Sequence, residues 1–164
     1  KQAAKTMNFL TEHGISSYGE LESKLTAVSA RRDTAHAEIK RIESRSAELA
    51  LVMKHAGTYR QLKPLYERYR KSNDKEKFLR GHESEIILFE AAARELKRLG
   101  AVPLPTTESM KTELANLNAE KERLLAEYKT ARTEAQEYET VKQNVDALLA
   151  VPKEQEQQRR HELE

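Results

Sequence analysis

The sequence predicts an all-α fold, a long antiparallel helical hairpin or coiled coil with a small helical head formed by the middle segment. Apolar residues recur every seven positions in two long stretches, the pattern of helices that pack along one seam. Charged residues make up 34% of the 164 residues and hydrophobic residues 38%, a balance that suits helices burying only a narrow stripe. Five glycines and four prolines provide the main breaks. We therefore expect residues 1–164 to form a single elongated helical domain.

A short helix is expected at residues 2–13, ended by Gly14, because glycine readily adopts the left-handed conformation that closes a helix. The first long helix is expected at residues 18–56. It starts at a capping pattern, Ser17 with Glu20, whose side chains can bond free backbone N–H groups. Its two seven-residue series are Leu21, Val28, Ala35, Ile42, Leu49 and Ala56, and then Leu25, Ile39 and Met53, with Arg32 and Ser46 as polar breaks.

The second long helix is expected at residues 107–150. Pro103 and Pro105 precede it and oppose helix there, and Thr106 or Thr107 can cap it. Pro152 is expected to end it, which leaves residues 151–164 as a frayed tail. Its two series are Met110, Leu117, Leu124, Ala131, Tyr138 and Val145, and then Leu114, Tyr128, Ala135 and Leu149, with Lys121 and Lys142 as polar breaks.

The two seams allow two arrangements. The simplest one pairs them antiparallel within one chain, with the middle segment at one end. Dimerisation through the seams is the alternative, because antiparallel and parallel pairs need similar seams.

The middle segment, residues 57–100, is expected to form the helical head. Gly57, Pro64 and Gly81 predict two or three shorter helices there. The apolar residues after Gly81 predict a more fully buried helix that Gly100 closes; they are Ile86, Ile87, Leu88, Phe89, Ala93, Leu96 and Leu99.

The stretch from residue 54 to residue 80 holds nine basic residues against three acidic ones, with aromatic residues between them. Lysine and arginine neutralise phosphates, and aromatic rings stack on unpaired bases, so this stretch predicts a nucleic-acid-binding surface. The alternative is that the tyrosines are half-buried anchors of the head and the charges merely solvate it. The candidate binding residues are Lys54, Arg60, Lys63, Tyr66, Arg68, Tyr69, Arg70, Lys71, Lys75, Lys77 and Arg80.

Basic residues are in excess in the part of the chain that contains this stretch. Residues 1–105 carry 20 basic and 14 acidic residues, whereas residues 106–164 carry 9 and 13. A leucine-zipper DNA-binding region is excluded, because Gly57 and Pro64 interrupt the basic stretch and it lies between two seams.

No catalytic centre is expected within this chain. The histidines are scattered, and His82 with Glu83 and Glu85 lacks the paired histidines of a helical zinc site. We expect no cofactor, metal, small-molecule substrate or membrane span. The absence of cysteine fits a reducing compartment, so we expect a cytoplasmic protein. The chain starts at Lys1, and we expect it to be a fragment of a larger protein.

Six stretches together carry a family resemblance. The chain resembles the C-terminal helical region of relaxases, the mobilisation nucleases of plasmids and conjugative transposons in Gram-positive bacteria. The stretches are residues 9–15 (FLTEHGI), 17–21 (SYGEL), 66–69 (YERY) with Tyr59, 77–86 (KFLRGHESEI), 98–100 (RLG) and 138–145 (YETVKQNV).

In that family a separate N-terminal domain nicks DNA with a tyrosine and a histidine-bound metal, and nothing in this chain matches that motif. The resemblance implies a non-enzymatic accessory region that helps hold DNA, self-associates or contacts proteins of the transfer machinery during conjugation. A purely structural coiled coil that joins subunits or partners without contacting nucleic acid is the alternative function.

Overall fold

The computed structural model describes residues 1–163, apart from the side chains of residues 151–156. It confirms the all-α fold, since the described part of the chain contains helices and no strand. The helices are α1 (Gln2–Glu12), α2 (Tyr18–Lys71), α3 (Lys75–Arg98) and α4 (Thr107–Glu162). None of these described helices is long and apolar enough to cross a membrane.

The expected turn between α1 and α2 is present. Gly14 has φ +63°, and the next residue, Ile15, donates its N–H to the Leu10 carbonyl at 2.8 Å, which is the six-to-one bond of a glycine-closed helix end. The Ser17 hydroxyl then accepts the Glu20 N–H at 3.2 Å. The Glu20 carboxylate accepts the N–H of Ser16 at 2.8 Å rather than that of Ser17, and the hydrogen bonds from Ser16 lower the pKa of Glu20.

Helix α2 is longer than predicted. It ends at Lys71 rather than at residue 56, and it continues through Gly57 and Pro64. A glycine in a helix costs about 1 kcal/mol and a proline about 3 kcal/mol relative to alanine. Packing offsets this cost: Leu65 is buried and Tyr66 stacks on Phe89 of α3 with ring centroids 4.3 Å apart. The prediction that these two residues break the chain into short helices was therefore wrong.

Helix α4 is also longer than predicted. Thr106 is the cap, because its hydroxyl accepts the Ser109 N–H at 3.1 Å. The backbone remains helical past Pro152 to Glu162, so the predicted helix end at residue 150 and the frayed tail were wrong. Residues 153–162 consist of Lys, Glu, Gln, Arg and His, mostly good helix formers, which favours continuation of the helix beyond the proline.

The described chain divides into two compact units, the first formed by Lys1–Ile39 with Glu122–Glu164 and the second by Lys40–Lys121. In the first unit, α2 and α4 run antiparallel. The Tyr18 hydroxyl donates to Asp146 at 2.6 Å, and Arg31 pairs with Glu134 at 3.5 Å. The core is Leu21, Val28, Ala135, Tyr138 and Val141, against which Phe9 and Leu10 of α1 pack.

In the second unit, α2 and α4 again run antiparallel. The Arg45 guanidinium donates to both oxygens of Glu113, at 2.6 Å and 3.1 Å. Lys121, a polar break of the seam, lies 3.7 Å from Glu43. Within each unit the seam residues of α2 and α4 therefore pair inside the chain, which is the simpler of the two arrangements that the sequence allows.

Burial of the seam residues agrees closely with the seven-residue series. All six members of the first series on α2 are buried, and five of the six on α4 are buried, with Val145 half-buried. Leu149 is the exception, since 57% of it is exposed.

Helix α3 is less buried than predicted. Its buried residues, Ile86, Phe89, Ala92 and Leu96, follow three- and four-residue spacing and form one face. Ile87 and Leu88 fall off that face and are 53% and 55% exposed, which corrects the prediction of a more fully buried helix. His82 has non-helical angles, so α3 is kinked there.

Candidate nucleic-acid interface

The nine predicted cationic side chains are all exposed and lie on α2 from Lys54 onward and on the first turns of α3. Six of them flank the short connection between the two helices. We call these six residues the basic turn: Arg68, Arg70, Lys71, Lys75, Lys77 and Arg80.

Hydrogen bonds order the connection at residues 72–74, which joins the two halves of the basic turn. Asp74 caps α3 by accepting the Lys77 N–H at 3.1 Å, and the Ser72 hydroxyl donates to the Asp74 carbonyl at 3.2 Å. These bonds fix the reversal of the chain, so that cations from both helices meet at one end of the α2–α3 pair.

The charges of the basic turn are largely unneutralised. Among the described residues, the side chains of Arg68, Arg70, Lys71, Lys75 and Lys77 form no hydrogen bond or ion pair within the chain. Arg80 donates only to the Glu76 carbonyl, at 3.4 Å. Three acidic residues, Glu67, Asp74 and Glu76, lie in the same stretch and leave it net positive.

The helix dipoles do not explain this arrangement. Cations in the last turn of α2 are favourable there, but Lys75 and Lys77 lie in the first turn of α3, where positive charge is unfavourable. Uncompensated cations from two helices also repel each other. Lys75 and Lys77 therefore do not add to the stability of α3, and an anionic partner would relieve the repulsion within the basic turn.

The other three predicted cations have different surroundings. Arg60 donates to Thr107 Oγ1 at 2.9 Å and to the Pro105 carbonyl, so its guanidinium fastens α2 to the start of α4. Lys63 Nζ lies 5.9 Å from the ring centroid of Tyr59. Lys54 precedes Arg68 by 14 residues, which is about 21 Å along a helix. The structure therefore does not bring Lys54 into the basic turn.

The predicted aromatic residues join α2 to α3. The rings of Tyr59 and Tyr66 stack on Phe89 at centroid distances of 4.8 Å and 4.3 Å. Tyr69 continues the row, 5.9 Å from Tyr66 and 6.0 Å from Phe78. The tyrosines are thus half-buried anchors of the head, as the alternative interpretation held, while the cations beside them face outward. Contact of Tyr66 and Tyr69 with nucleic acid stays a prediction.

A groove between α2 and α3 lies beside this row of rings and has a volume of about 500 Å³. Tyr59, Tyr66 and Phe89 contribute its rings, and Arg70 of the basic turn lines it. Arg94 is a further lining residue that was not predicted, because it lies outside residues 54–80. Its spacing of four residues from Glu90, which also lines the groove, places both side chains on one face of α3.

His82, which the sequence did not support as a metal ligand, lies at the kink of α3 with its ring tilted against that of Phe78, the two centroids 4.7 Å apart. Its Nδ1 is buried without a hydrogen-bond partner and lies 3.6 Å from Glu85. Within the described part of the chain, no three side chains of suitable type are grouped to hold a metal ion.

Comparison with known proteins gives no match: no protein-family model, no curated protein and no solved structure matches this chain.

Proposed function

We propose that this chain is a non-catalytic helical module that binds nucleic acid through the basic turn. The observation that carries the proposal is the grouping of five exposed cations that have no partner among the described residues. Each cation that contacts a phosphate releases condensed counterions, and this release supplies most of the affinity of sequence-independent binding.

The resemblance to relaxases extends the proposal. The basic turn overlaps two of the resembling stretches, residues 66–69 and 77–86. We propose that the module belongs to a DNA relaxase or mobilisation protein and assists DNA binding or relaxosome assembly in conjugative transfer. DNA and proteins of the transfer machinery are the partners that this role requires.

Fluorescence anisotropy with labelled single-stranded and double-stranded DNA tests the proposal. We expect binding that weakens as salt increases. The triple variant R68E, R70E and K71E should bind at least about tenfold more weakly, because it replaces three attractive charges by repulsive ones. The helical circular dichroism signal should not change, since these exposed side chains form no hydrogen bond or ion pair within the described chain.

A matched control separates local contacts from net charge. The triple variant K111E, K129E and R132E makes the same change in net charge at exposed positions of α4. It should reduce affinity much less than the basic-turn variant. Equal losses in the two variants, or no binding by the unmodified protein, would contradict the proposal.

A partner-binding module without nucleic-acid contact is the second candidate. The exposed pair Ile87 and Leu88 on α3 favours it, because two large apolar side chains face solvent side by side. Sedimentation velocity tests self-association of the unmodified protein against the variant I87S and L88S. If both samples are monomeric, the protein does not self-associate through Ile87 and Leu88, and this face would serve only a different partner protein.

A further inference from the structure

We infer that the groove between α2 and α3 binds one unpaired nucleobase, an inference that rests on the proposed nucleic-acid function and assigns a second contact to it. The groove volume of about 500 Å³ is ample for a base with its sugar. Its walls combine aromatic rings with charged groups, the combination used by surfaces that stack the bases of single strands.

The rings are held in place before any ligand binds. Phe89 is 6% exposed and stacks on both Tyr59 and Tyr66, with interplanar angles of 24° and 25°. Both tyrosine rings remain half-exposed and line the groove. Because Phe89 fixes their orientation, stacking a base beside them costs little additional side-chain entropy.

The charged groups of the groove suit a nucleotide. Lys63, Arg70 and Arg94 supply cations for the phosphates on either side of a base. Glu67 and Glu90 also line the groove. Their carboxylates disfavour a bare anion, but they can accept hydrogen bonds from the N–H groups of a base.

The groove and the basic turn share one residue, Arg70. A strand whose phosphates lie along the basic turn can therefore place a neighbouring base in the groove. Duplex DNA cannot do this without losing base pairing, because its bases are stacked and paired inside the helix. The arrangement should therefore favour a single strand over a duplex.

The test compares two probes of equal charge: a twelve-residue oligothymidylate and a twelve-residue abasic oligonucleotide with the same phosphates. We expect the oligothymidylate to bind at least about fivefold more tightly, the effect of stacking one base. Equal affinities would overturn the groove inference while leaving the basic turn intact. Binding of neither probe would overturn the proposed function as well, so the two failures are distinguishable.

Variants of groove residues then test whether the preference for oligothymidylate over the abasic probe arises in the groove. Ala93 lines the groove and is half-buried, so A93F should fill the space and reduce the preference for oligothymidylate to less than about twofold. Binding of the abasic probe should not change. The matched control A119F adds the same ring at an exposed position of α4 and should keep the preference. Preference retained in A93F would overturn the inference.

A second pair of variants guards against misfolding of A93F, which helical circular dichroism would reveal. Y66F keeps the ring that stacks on Phe89 and should keep the preference for oligothymidylate. Y66L removes the ring and should lose it. The same preference in Y66F and Y66L would place the base outside the groove and contradict the inference.

Discussion

At the residue scale, single backbone positions account for the ends of helices. Gly100 has φ +71°, and its neighbour Ala101 donates to the Leu96 carbonyl at 2.9 Å. An alanine at Gly100 would have to adopt a left-handed conformation that costs about 1–2 kcal/mol. Gly57 lies in the interior of α2, where an added Cβ meets no atom within 4 Å.

These two glycines give predictions of opposite sign. G100A should lower the free energy of unfolding by about 1 kcal/mol, whereas G57A should raise it by a similar amount because alanine favours helix. Urea unfolding followed by circular dichroism measures both changes. Destabilisation by G57A would mean that α2 is not regular at that position.

The Arg45–Glu113 pair gives a pH-dependent prediction. The Arg45 hydrogen bonds lower the pKa of Glu113, so the pair stabilises the fold above the unfolded pKa of about 4.3 and loses this contribution as pH falls through the folded pKa. E113Q should therefore destabilise the protein at pH 7 by at most about 1 kcal/mol, because both side chains are about 40% exposed. The difference from the unmodified protein should shrink at pH 3. A difference that grows towards low pH would contradict the assigned role.

At the element scale, the seven-residue series predicted most of the buried residues of α2 and α4, with Leu149 as the exception. Spacing determines the face of a helix, and it does not depend on where the helix ends. The ends were mispredicted at Gly57, Pro64 and Pro152, because local breaking tendency is small beside the packing that a continuous helix gains. Leu65 and Tyr66 follow Pro64. Leu65 is buried, and Tyr66 stacks on Phe89, a residue distant in the sequence, which no local pattern reveals.

Contacts between residues distant in the sequence also limited the prediction of the candidate site. The basic residues were visible in the sequence as composition, and the connection at residues 72–74 brings six of them to one turn. The hydrogen bonds from Arg60 to Pro105 and Thr107 could not be predicted from the sequence, because those residues lie 45 and 47 positions further along the chain. The groove was missed for the same reason, since α2 and α3 each supply only part of it.

Replacement of Pro64 by alanine tests whether α2 is continuous. Proline cannot donate a backbone hydrogen bond to the Arg60 carbonyl, and its ring crowds that carbonyl. P64A should raise the free energy of unfolding by about 1–3 kcal/mol and leave DNA affinity unchanged, because Pro64 lies outside the basic turn. Urea unfolding and anisotropy check the two parts. A variant less stable than the unmodified protein would contradict a continuous α2.

At the scale of the whole molecule, the net charge of +2 is too small to make the entire surface attractive to nucleic acid. Residues 106–164 carry four more acidic than basic residues, whereas residues 54–80 carry six more basic than acidic ones. The proposed affinity for DNA therefore requires a local group of cations. The basic turn is the group whose charges the fold gathers without neutralising them.

The salt dependence of DNA binding tests this claim most directly. Each phosphate contact adds about 0.9 to the slope of the logarithm of the binding constant against the logarithm of salt concentration for duplex DNA, and about 0.7 for a single strand. The triple variant R68Q, R70Q and K71Q, which neutralises three charges of the basic turn, should therefore lower the magnitude of the slope by about 2–3. The control triple variant K111Q, K129Q and R132Q on α4 should leave the slope unchanged. Identical slopes in the unmodified protein and the basic-turn variant would contradict the account.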